Sequence, residues 1–94
     1  MRKIKEQEFF EIIAELKGKT VIVKLEGNLQ GKMLLENMDY EIPYKSNIIT
    51  MHDKAKNNCI HINLSFYYKM TSNEENNLLQ VYCDNDILIT IKVK

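Results

Sequence analysis

After Gly18 the chain has no helical periodicity left. From Thr20 to Val93 its apolar residues recur at every second position, with turn residues breaking the runs. Before Gly18 the pattern is different. Phe9, Ile12, Ile13 and Leu16 follow i, i+3, i+4, i+7 spacing, and Ile4 and Phe10 widen the stripe. The spacing predicts a helix over 4–17, with acidic residues early, Lys17 late and Gly18 as its stop. A lone helix of that length is marginal in water. Its apolar stripe must therefore dock on the sheet formed by residues 19–94. A chain of 94 residues supplies one modest core, so 1–94 is expected to be a single domain.

The strand signals come in order. Thr20–Leu25 places Val21, Val23 and Leu25 on one face. Gly27-Asn28 is a two-residue hairpin signal. Leu29–Glu36 follows, with Leu29, Gly31, Met33 and Leu35 sharing a face. Gly31 inside that face marks a strong bend or a close backbone approach. Asn37–Tyr40 reads as a loop, and Pro43 bars its own position from a central strand. Asn47–His52 is a short strand and Asp53–Asn58 a turn. Cys59–Thr71 is the longest strand signal, with Ile60, Ile62, Leu64 and Phe66 on its apolar face and Tyr67 on the exposed one. Residues 48–77 form either extra strands or a protruding hairpin. Leu78–Cys83 and Ile87–Val93 end the chain around an Asp84–Asp86 turn. The expected fold class is mainly β: an N-terminal helix, then a small, strongly bent antiparallel barrel of five to seven strands.

Charge narrows the function. Thirteen basic and 13 acidic residues give a formal net charge of zero. A protein that coats nucleic acid without regard to sequence carries a basic excess, so DNA is not an expected partner. No stretch reaches the ~20 apolar residues of a membrane span, and the basic start has no apolar run behind it. The expected location is the cytoplasm, where Cys59 and Cys83 stay reduced and are read as buried thiols. Cys59 and His61 at i, i+2, with His52 and Cys83 elsewhere, lack the clustered spacing of a zinc site. The reading assigns no metal, no cofactor, no catalytic residue and no enzyme activity, because nothing groups a nucleophile, base and orienter.

The helix, then "GKTVIVKLEGNLQGKMLLENMDYEI", then "VYCDNDILITIKV" resembles the Sm-like family of SH3-like barrels over about two-thirds of the chain. Val21, Val23, Leu25, Gly27, Gly31, Met33 and Asn37 match the first motif of that family. Val81, Asp84, Asn85, Ile87 and Ile89 match the second. Glu41-Ile42 and Cys83 depart from the pattern. The resemblance implies single-stranded RNA held between two loops, through Asn37, Asp39 and Tyr40 on one and Asp84 and Asn85 on the other. Asp39, Glu41, Asp84 and Asp86 in the same loops would repel phosphate. The resemblance also implies self-pairing of edge strands. The last strand is apolar on both faces, so Leu88, Thr90 and Lys92, with Tyr67, are the expected contacts of a homo-oligomer. The alternative is a protein-interaction module of the same barrel type with no nucleic-acid role.

Overall fold

The computed structural model describes residues 1–43 and 47–94. Tyr44–Ser46, between Pro43 and the next strand, lie outside the described residues. After β1 (Arg2–Lys3) comes a single helix, α1 (Glu6–Leu16). Its first turn carries Glu6 and Glu8, and the Glu8 carboxylate accepts from the Lys5 backbone N–H at 3.4 Å. Gly18 follows the helix at φ +85, the left-handed conformation that glycine takes at a helix stop. Phe9, Ile12, Ile13 and Leu16 are all buried, as their spacing requires.

The remaining strands are β2 (Val21–Gly27), β3 (Gly31–Leu35), β4 (Asp39–Glu41), β5 (Ile48–His52), β6 (Cys59–Asn63), β7 (Tyr67–Ser72), β8 (Leu78–Cys83) and β9 (Ile87–Val93). They form two antiparallel sheets. One has six strands in the order β1-β7-β8-β9-β2-β3, the other three in the order β4-β5-β6. The chain is thus mainly β with one N-terminal helix. The core lies between the inner face of the large sheet, the helix and the small sheet. Phe9, Ile13, Val21, Leu35, Met38, Ile49, Met51, Leu79 and Ile91 are fully buried in it. Each such side chain contributes about 1.5–3 kcal/mol of burial.

Four local expectations are corrected. Gly27-Asn28 is not a two-residue hairpin. The last β2–β3 pair is Leu25 with Gly31, while β2 continues to pair with β9 as far as Gly27 with Ile87. Gly27 sits at φ +99, and a Cβ there would stand 1.9 Å from the Asp86 carbonyl oxygen, so the close approach belongs to Gly27. At Gly31 a Cβ would meet nothing within 4 Å.

The long strand expected from Cys59 to Thr71 is interrupted by a 3-10 turn at Leu64–Phe66. Asn63 caps it by accepting from the Ser65 backbone N–H at 2.9 Å. That turn carries the chain from the small sheet to the large one and shifts the alternation. Phe66 is consequently 60% exposed, whereas Tyr67 packs against the core and donates to Glu6 at 3.5 Å. Residues 48–77 are therefore strands β5, β6 and β7, not a protruding hairpin. Finally, Cys59 is exposed rather than buried. Among the described residues no helix is long and apolar enough to cross a membrane.

Candidate nucleic-acid interface

The two loops singled out by the sequence lie far apart. Leu35, just before Asn37, pairs with Val21 at the start of β2, and Ile87, just after Asp86, pairs with Gly27 at its end. Seven residues of strand separate them, about 20 Å at ~3.3 Å per residue. Within one chain, Asn37, Asp39 and Tyr40 do not converge with Asp84 and Asn85. Asn37 occupies a left-handed turn at φ 53. Asp39 and Tyr40 are in β4 rather than in a loop, and Tyr40 packs against the core instead of presenting its ring to a base. The Tyr40 backbone N–H donates to the Asp39 carboxylate at 2.8 Å. That bond, with Lys17 at 3.6 Å, holds the carboxyl below its ordinary value. Asn85 gives its carbonyl to the Asn28 amide at 2.9 Å, tying the turn to the end of β2.

The expected interface residues fare differently. Strand β9 is interior, with β8 on one side and β2 on the other, so it offers no free backbone edge. The two sheets end at β1, β3, β4 and β6. Leu88, Thr90 and Lys92 do share the outer face of the large sheet, because Ile89 and Ile91 between them point into the core. Tyr67 is not part of that face.

The ladder registers define the outer face. One row crosses all six strands: Lys3, Thr71, Gln80, Thr90, Lys24, Lys32. A second row is Lys69, Tyr82, Leu88, Glu26. A third is Leu78, Lys92, Ile22, Leu34, with Lys94 beyond it beside Lys32. Six lysines (Lys3, Lys24, Lys32, Lys69, Lys92 and Lys94) thus face outward, nearly half of the chain's 13 basic residues. Glu26 is the one carboxylate in those rows. The helix carboxylates Glu11 and Glu15 lie beyond the core, on the other side of the sheet. Zero net charge therefore conceals a strongly cationic face.

Its polar groups are ordered. Tyr82 donates its hydroxyl to Gln80 at 3.1 Å, and Thr71 donates to Gln80 at 3.4 Å. The Lys69 ammonium lies 4.9 Å from the Tyr82 ring centre. Tyr68 is 63% exposed, and its ring centre is 6.1 Å from that of Tyr82. Thr90 Oγ1, at the middle of the long row, is buried with no hydrogen-bond partner among the described residues. Of this face the sequence reading named only Leu88, Thr90 and Lys92. The missed signal was the polar half of each alternating run, where Lys24, Lys32 and Lys92 share one parity.

The histidines are engaged elsewhere. His61 Nδ1 is 2.7 Å from Thr50 Oγ1, and His52 Nδ1 donates to the Asp53 carbonyl at 2.8 Å. The other His52 nitrogen is 3.7 Å from the Glu41 carboxylate. Cys59 stands opposite His52 in register without a hydrogen bond to it. Among the described residues no three His, Cys, Asp or Glu side chains are grouped to hold a metal ion. No known family model, curated protein or solved structure matches the chain.

Proposed function

We propose that the chain is a cytoplasmic, non-catalytic binding module that holds single-stranded RNA across the outer face of its six-stranded sheet. The observation that carries this reading is the six-lysine face, whose strand rows hold one carboxylate, Glu26, with Asp86 at its corner, together with two accessible tyrosines. Lysines supply phosphate contacts, and aromatic rings supply stacking surface for unpaired bases. On this reading the ligand lies on the sheet and not between the two acidic loops.

Sm-like kinship and closure of the two sheets into a bent barrel belong to the same proposal. They are supported by the order helix, then β2–β3, and by the antiparallel β2–β9 pairing. Self-association is kept at the sheet margins, where β3 and β6 each have one backbone edge without a ladder among the described residues.

The test is a fluorescence-anisotropy titration with U-rich and A-rich oligonucleotides at several salt concentrations. Engagement of four to six phosphates predicts a log–log salt slope of about −3 to −4. No anisotropy change with either RNA, together with a 260/280 nm ratio of pure protein after purification, would overturn the reading in favour of a protein-interaction module.

A further inference from the structure

Glu26 is out of place on a phosphate-binding face. It repels the backbone it would share the surface with, and its contact to Lys24 at 3.8 Å is an exposed ion pair that contributes little. Its surroundings give it a use. Glu26, Tyr68, Tyr82, Leu88 and Asp86 border one shallow cavity of about 310 Å³ at the corner of the sheet where β2 meets the Asp84–Asp86 turn. The row Tyr82, Leu88, Glu26 crosses three adjacent strands, so the carboxylate is two strand spacings, roughly 10 Å, from Tyr82. A planar base laid against Tyr68, above Leu88, would have its edge at Glu26.

A carboxylate accepts hydrogen bonds and donates none at neutral pH. The base edge it suits therefore presents N–H donors. Guanine offers two side by side, at N1 and at the exocyclic N2, and a carboxylate can take both. Adenine presents a bare N1 acceptor there, and uracil a single N–H between two carbonyls. Both would set lone pairs against the carboxylate.

Resting on the RNA reading above, we infer that this cavity is a base-specific subsite that selects guanine. Tyr68 is the stacking platform, Glu26 the acceptor of the two guanine N–H groups, and the lysine rows hold the flanking phosphates. Gly27 keeps the corner in place, since its close approach to the Asp86 carbonyl fixes the end of β2 against the turn.

The experiment compares the RNA heptamers UUUGUUU, UUUAUUU and UUUIUUU, where inosine (I) keeps N1–H and lacks the N2 amine. The expected order is guanine, then inosine, then adenine, with guanine preferred over adenine by about tenfold or more. In Glu26→Gln the preference collapses, while the adenine heptamer binds as well as before or more tightly because a negative charge is gone. Tyr68→Ala weakens all three by a similar factor. Equal binding of the three heptamers by the unaltered protein overturns the subsite and leaves the RNA reading standing. So does a guanine preference that survives Glu26→Gln, or a Tyr68→Ala protein with unchanged affinities. Binding of none of the three overturns the RNA reading and the subsite with it. Both substitutions are at exposed positions, and a retained circular-dichroism spectrum confirms folding.

Discussion

Lys24 and Lys32 stand directly opposite each other across β2 and β3, on the outer face. Like charges at paired positions, with Cβ atoms about 5 Å apart, destabilise an antiparallel ladder. A bound polyanion relieves that repulsion. Replacing Lys32 with glutamate should therefore raise stability by roughly 0.2–1 kcal/mol, through a cross-strand pair with Lys24. The same change should weaken RNA binding and make the salt slope shallower. Urea unfolding and anisotropy on one preparation check both; a variant that loses stability and keeps its affinity would contradict the assignment.

The two glycines of the β2–β3 segment should respond in opposite directions. Gly27→Ala puts a side chain at φ +99 and onto the Asp86 carbonyl, a cost on the order of 3 kcal/mol. Gly31→Ala adds a methyl group where nothing lies within 4 Å and where φ is ordinary for a strand. It should stabilise by roughly 0.5–1 kcal/mol by restricting the unfolded chain. Thermal melts of the two variants decide the matter.

Asp39 links stability to acid. The Tyr40 N–H, more than Lys17, holds its carboxyl below 3.8, so the folded state favours the charged form. A depressed carboxylate stabilises above its unfolded value and loses that contribution as pH falls through the folded one. Stability should therefore fall as the pH drops below about 4, and Asp39→Asn should flatten that limb. Chemical denaturation between pH 6 and 2, read as a slope, is the measurement.

The two cysteines should separate kinetically. Cys59 is exposed. Cys83 is half-buried, and burial, with Asp84 adding to it, pushes its thiol up, so less of it is thiolate at neutral pH. A disulfide reagent should label one thiol fast and the other at least about tenfold more slowly. Cys59→Ser should remove the fast phase.

Parts of this architecture could be read from residue order because they depend on local periods. The stripe Phe9, Ile12, Ile13, Leu16 needs only the 3.6-residue turn of a helix, and Val21, Val23 or Ile89, Ile91 need only strand alternation. The break at Leu64–Phe66 could not be read that way. It is held by the Asn63 side chain, which accepts from the Ser65 N–H, and by bonds to the distant Asn47 and Asp84, and nothing in "CIHINLSFYYKM" distinguishes it from unbroken strand. That single turn exchanged the expected environments of Phe66 and Tyr67. The cationic face was hidden for another reason. Lys3, Lys24, Lys69 and Lys92 are distant in sequence and meet only through pairing registers, which net charge cannot convey. Strand β9 was misjudged as an edge because its two apolar sides fit an edge covered by a partner and an interior strand equally well.

The central position of β9 bears on how the chain acquires its structure. Val21–Gly27 must find Ile87–Val93, sixty or more residues away, before the large sheet has a middle. Without that encounter the large sheet falls into the β2–β3 ribbon and the β1-β7-β8-β9 fragment, and an isolated two-stranded ribbon is barely stable in water. Folding is expected to wait on this long loop closure, in the millisecond-to-second range of proteins dominated by non-local contacts. The helix, marginal by itself, gains its stability only once the distant strand has helped to finish the surface it docks on.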